Sequence, residues 1–257
     1  MTLRLSTGAR QKQVGSLGFC GAFNKGSINI YSGSQPATAD AAPTGTLLGV
    51  VTAASGALTQ ETQATGTIVI TGATGGTINN LTVGTFNIIP DGAVSVVVGD
   101  TAATAVAVAA AINRCGIFSA TVSGSTITIK PRPGSGAAYN GLALTGSLTT
   151  ATATYGGGTV SGGVAAANGL TFADPASGVL GKPASPAWSF NGLTVGTAGW
   201  FRFIGSTLDD NSLSTTAVRL DGSIATAGGD MGLSNISVTV GAPNTVDRFN
   251  VTQPANA

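Results

Sequence analysis

Histidine is absent from this 257-residue chain, cysteine occurs twice, and Glu61 is its single glutamate. Without imidazole the chain lacks the commonest general base, the commonest metal ligand and the usual pH switch near neutrality. Cys20 and Cys115 stand far apart and outside any C-x-x-C pair, so neither a thiolate zinc site nor a redox dithiol fits; they read as two buried free thiols. Charge is scarce as well, at 8% of residues against about 25% in ordinary soluble domains. A surface so poor in charge reads as one covered by other subunits, or as a β-protein kept soluble by its hydroxyls. The net charge of +1 argues against global steering toward nucleic acid. No apolar run reaches the roughly 20 residues of a membrane-crossing helix; the longest, Ala102 to Ile112, is short and mostly alanine. The opening M-T-L-R-L-S lacks the charged start and apolar stretch of a signal peptide, which points to a chain assembled in a cytoplasm.

What is abundant is glycine, with 39 residues, together with Thr, Ser and Ala in short alternating segments. Ser6 is placed to cap a helix over Thr7 to Val14 that stops at Gly15, and a second turn is expected over Leu17 to Phe23. Ser27 to Tyr31 alternates as a strand with Ile28 and Ile30 on one face, Gln35 to Pro43 is a loop, and Gly45 to Thr52 is a second strand. The texture changes between Thr65 and Gly163. There, Ala105, Val108, Ala109 and Ile112 fall at helical spacing after Asp100, and Gly116 ends the helix. Phe118 to Val122 and Thr126 to Lys130 read as a hairpin across Ser123-Gly124. Beyond it, Trp200, Arg202 and Ile204 share one face of a strand and Phe201 and Phe203 the other, so both faces are covered. Asp221-Gly222 reads as a turn, and Ile236, Val238 and Val240, then Asp247, Phe249 and Val251, read as the last strands. About eight host strands predict a mainly β fold, jelly-roll-like or a two-sheet antiparallel sandwich, made of residues 1–64 and 164–257. Residues 65–163 form an inserted α+β domain.

Candidate chemistry is thin. Asp209 and Asp210 are adjacent and followed by Asn211, which suits a turn better than a catalytic pair, and D-D-N lacks the spacing of a calcium loop. The glycine-rich stretches Gly72 to Gly76 and Gly156 to Gly163 carry no phosphate-loop lysine and read as turns and hinges. Trp188 and Trp200 alternate with apolar residues and read as core. No coherent catalytic set, cofactor motif or metal-ligand spacing emerges. The remaining candidates are Arg4, Arg10 and Lys12, which precede the first acid, Asp40, and form either a basic arm that docks on an acidic partner or a solvated helix face. Leu3, Leu5, Val14 and Leu17 would supply the apolar contacts of such an arm.

The ordered set M-T-L-R-L-S-T-G-A-R, I-N-I-Y-S-G-S-Q-P from Ile28, G-T-A-G-W-F-R-F from Gly196 and S-T-T-A-V-R-L-D-G-S from Ser214 resembles a family of small structural proteins of tailed bacteriophages. The likeness covers roughly residues 1–62 and 164–257. The insert, with G-D-T-A-A-T-A-V-A-V-A-A-A-I-N from Gly99 and the hairpin after it, is similar to modules of phage tail and baseplate proteins. The resemblance implies a non-enzymatic virion protein without cofactor, assembled in the bacterial cytoplasm as a homo-oligomer and in contact with other virion proteins. Two positions stay open: a capsid decoration protein on the major capsid protein, or a neck, collar or tail accessory whose insert touches a tail protein or the host cell.

Overall fold

The structure is a computed structural model in which residues 3–14, 18–149 and 152–252 are described. It is mainly β and divides into two compact units, Met1–Gln60 with Ala166–Ala257, and Glu61–Ala165.

In the first unit the alternation of Ser27–Ser32 and Gly196–Ile204 does what the sequence predicts. Ile28, Ile30, Phe201 and Phe203 are fully buried in an aromatic core with Trp188, Phe190 and Phe249. The two expected sheets are joined along both edges into a single closed ring. Ser27–Ser32 pairs with Leu47–Ala53, which pairs with Trp188–Asn191, and this with Pro243–Thr252. Pro243–Thr252 continues to Met231–Leu233, Arg219–Ala225, Gly196–Ile204 and back to Ser27–Ser32. Every pair is antiparallel except Arg219–Ala225 with Met231–Leu233. Each of these strands is thus paired on both sides, over only two residues where Leu47–Ala53 meets Trp188–Asn191 and where Arg219–Ala225 meets Met231–Leu233.

Three expectations change here. Asp221-Gly222 is no turn, because the strand runs through it from Arg219 to Ala225. Asp221 faces a guanidinium, and a side chain on Gly222 would come within 2.7 Å of the Phe201 ring. The strand expected over Ile236, Val238 and Val240 is reduced to Ser237–Val238, and near Leu170 one of the about eight host strands is replaced by an isolated bridge to Gly26. Cys20 is exposed and Cys115 half-buried, with the Phe118 amide donating to its sulfur at 3.1 Å.

The N-terminal helix, Thr7–Val14, forms as its cap predicts, with the Ala9 amide donating to Ser6 Oγ at 3.0 Å. The expected stop at Gly15 and the contact from Leu17 lie outside the described residues. Gly8 lets the helix sit against the chain at 216–217, since a Cβ there would collide with the Thr216 and Ala217 carbonyls.

The second unit stacks two four-stranded sheets and one helix around an aliphatic core. The larger hairpin, Phe118–Ser123 with Thr126–Pro131, is the predicted one, and it continues through Thr65–Gly72 to Thr152–Ser161. Thr77–Val83 pairs with Leu144–Thr149, Phe86–Asn87 and Val94–Ser95 in the other sheet. The helix, Thr101–Asn113, is capped by Asp100, whose Oδ1 accepts from the Ala103 amide at 2.8 Å, and its predicted stripe is buried. Gly156 and its neighbours are strand and not hinge. Gly156 lies so close to Thr67 that any Cβ would strike the threonine hydroxyl, so the glycine lets these two strands meet.

Candidate functional site

The ring of the first unit is covered on its outer side as well as filled within. Side chains at 27, 29 and 31, at 200, 202 and 204, and at 219 and 221 point away from the aromatic core, yet all are buried. Strand register sets Asn29 beside Arg202, Arg202 beside Asp221, and Asp221 beside Arg4, which makes one polar row across four strands.

Arg202 and Asp221 form the centre of this row. Nε and Nη2 donate to the two carboxylate oxygens, each at 2.8 Å, and both side chains are sealed from solvent. Burial pushes the Asp221 carboxyl up from its ordinary value, while the bonds from Arg202 pull it back. The guanidinium also lies 5.6 Å from the Trp200 ring, which stacks on Tyr31 at 4.6 Å, and Arg202 Nη1 has no hydrogen-bond partner among the described residues. Burial raises the Tyr31 phenol above its ordinary value.

Arg219 makes the second pair. Nε and Nη2 donate to Asp209 at 2.7 and 2.6 Å, Nη2 also to the Ser212 carbonyl at 2.7 Å, and Nη1 to the Asp40 carbonyl at 3.2 Å. The bonds to Asp209 hold the guanidinium above its ordinary pKa. The adjacent acids therefore divide. Asp209 turns inward to Arg219, and Asp210 stays exposed, its carboxylate kept below the usual range by the Ser212 hydroxyl and amide.

Asp40 ties this layer to the helix. Its carboxylate accepts from the Thr7 amide at 2.8 Å and the Thr7 hydroxyl at 2.7 Å, and its carbonyl accepts from the Ser214 amide at 2.9 Å. Ser6 Oγ adds a second tie, accepting from the Arg219 amide at 3.0 Å and donating to the Ala217 carbonyl at 2.7 Å. The helix, the loop around Asp40 and the segment from Thr207 to Ala217 are thus fastened as one surface. Asp221 is enclosed and doubly bonded to Arg202, so it cannot meet a substrate.

The three basic residues singled out in the sequence are placed differently. Arg4 lies in a short strand, Arg4–Leu5, paired with Leu220 and Asp221, half-buried, and Nη1 donates to the Pro36 carbonyl. Arg10 is exposed and Nη2 donates to the Thr7 hydroxyl at 3.0 Å. Arg4 and Arg10 line one open groove together with Leu5, Thr38 and Asp40; Arg10 also lines an apolar groove with Thr7, Gln11 and Val14. Lys12 lines neither. The reading of an arm without nearby acid is corrected, because Asp40 and Asp221 both lie beside it and the helix is docked on the ring.

Sequence reasoning missed Arg202, Asp209, Arg219 and Asp221 as one network. The signal was there in W-F-R-F and R-L-D, where a charge sits in an otherwise covered strand and demands an opposite charge on the neighbouring one. No helix among the described residues is long and apolar enough to cross a membrane. No family model, curated protein or solved structure matches the chain.

Proposed function

We propose that this chain is a non-enzymatic structural protein of a tailed-bacteriophage virion, a capsid decoration protein that stabilises the particle by burying its own surface against neighbouring virion proteins. The motifs at the start of the chain, from Ile28, from Gly196 and from Ser214 support the family. The observation that supports the mode of action is the surface fastened by Asp40. It is held rigidly from beneath, yet it presents large apolar side chains to solvent: Val14 is 91% exposed, Leu208 79% and Leu213 76%. A single exposed leucine is ordinary, but several on segments locked to one buried network suit a partner surface.

The test is a stained gel of purified virions calibrated against the major capsid protein. Copies on the order of hundreds per particle support decoration. A dozen or fewer place the protein in the neck or tail, where the Glu61–Ala165 unit would contact a tail protein or the host cell. Absence from the particle overturns the virion reading altogether, as would a hydrolytic turnover abolished by changing one aspartate.

A further inference from the structure

We infer that the groove between Arg4 and Arg10 receives a carboxylate side chain of a partner protein, and that Lys12 takes no part. The inference rests on the docking function proposed above and narrows it to one site. Arg4 and Arg10 both line it, with Leu5, Thr38 and Asp40. Arg4 is engaged with the Pro36 carbonyl and Arg10 with the Thr7 hydroxyl, each through one terminal nitrogen, so most of the five N–H donors on each remain for a ligand. The ion pairs among the described residues join Arg114 to Asp91, Arg202 to Asp221 and Arg219 to Asp209, and none involves Arg4 or Arg10. Asp40 lines the groove too, and its carboxylate is oriented by Thr7, whose amide and hydroxyl donate one hydrogen bond to each oxygen, so it is not paired with either arginine. The groove therefore sets two guanidiniums against one resident carboxylate, which leaves an excess of positive charge facing solvent.

Its walls are set in advance. The Asp40 carbonyl is held by Arg219 and Ser214, and Arg4 is fixed in the strand beside Asp221, so binding would order little that is not already ordered. The planar guanidinium fork matches the two oxygens of a carboxylate. A nucleic-acid backbone would ask for a longer basic stripe than two arginines in a chain of net charge +1. Arg10 also borders the apolar groove that ends at Val14, so the favoured partner segment carries an apolar side chain next to its acid. Lys12 stands two residues on from Arg10, about 200° round the helix, and faces elsewhere.

The experiment uses the full chain at low ionic strength and fluorescence anisotropy of a labelled six-residue peptide of glutamate and leucine. The same peptide with glutamine for glutamate and inorganic phosphate as competitor serve as the other arms. Arg10→Gln, which changes an exposed residue, should weaken the acidic peptide about tenfold, and Arg4→Gln with Arg10→Gln further, while Lys12→Gln stays within about twofold. Equal loss with Lys12→Gln, equal binding of the glutamine peptide, or displacement by phosphate at the peptide's own concentration would each overturn the site. If the peptide result holds and virions lack the protein, the virion reading fails and the groove stands; the reverse outcome removes the groove alone.

Discussion

The two units solve the same problem with different materials. Glu61–Ala165 packs Ile68, Ile70, Val108, Ile112, Ile127 and Ile129 between sheets and helix, and its single fully enclosed charge among the described residues is Glu61. The ring packs Phe23, Trp188, Phe190, Phe201, Phe203 and Phe249 inside and lays a second, polar core on its outer side, with Arg202, Arg219 and Asp221 sealed under the loops. An aliphatic core is indifferent to which loop covers it. A bidentate ion pair is not, because each donor must meet its own acceptor: Arg202 meets Asp221 on the neighbouring strand, and the acceptors of Arg219 belong to the segments that form the exposed surface. The difference teaches one use that a chain with few charges makes of them: through Arg219, Asp209 and Asp40 it fixes the geometry of a surface.

The sharpest way to break that comparison is to remove one half of the central pair. Arg202→Met leaves Asp221 buried without its partner and should destabilise the ring by about 3–5 kcal/mol. Joint replacement of Arg202 by Met and Asp221 by Leu should recover most of the loss. Both tryptophans lie in the ring unit, so denaturation followed by tryptophan emission reads that unit alone. A single variant as stable as the wild type would mean that the polar layer is ornamental.

How much of this could be read beforehand divides along the same line. The helix after Asp100, the hairpin through Ser123 and Gly124, and the Ser6 cap are local: the residues that specify each lie within a few positions of one another. So the alternation and the cap residues were enough. The ring depends on pairings such as Arg4 with Asp221 and Ser27 with Ile204, separated by most of the chain, and nothing in a short window distinguishes them. The strand Thr152–Ser161 was hidden for a different reason. Gly156 is there because Thr67 crowds it, which only the paired strand reveals. Of the candidate site, the residue types at Arg4, Arg10 and Lys12 were legible and their separation was not, because Arg4 sits on a strand and the other two on a helix.

A smaller effect tests the insert by itself. Asp100→Ala removes the helix cap and should cost the Glu61–Ala165 unit about 1 kcal/mol. The measurement is hydrogen exchange of the Thr101–Asn113 amides, which should quicken while the tryptophan-detected transition stays in place. A shift of the tryptophan transition by the same amount would mean that the two units melt as one.

Smaller again is the acid response of Asp210. Its folded-state pKa is lowered by Ser212 from the ordinary 3.8, so its contribution is present in full above that value and is lost as pH falls through the depressed folded value. Asp210→Asn should melt slightly below the wild type at neutral pH, and the gap should close as pH falls through the depressed folded value. A gap that widens on acidification would contradict the sign.

The smallest expected change comes from the largest excision. Thr59 and Ala167 exchange two backbone hydrogen bonds, each 3.0 Å, so the ends of the ring unit's two segments lie side by side where the insert departs. A short Gly-Ser linker from Gln60 to Ala166 can span that distance and closes a far shorter loop than the one it replaces. The ring should therefore keep its cooperative tryptophan transition, unchanged to within a few tenths of a kcal/mol if no interaction with the insert sustains it. Loss of cooperativity would show that the aromatic ring and the aliphatic insert are halves of one folding unit, and the contrast in how they are built would then describe one core and not two.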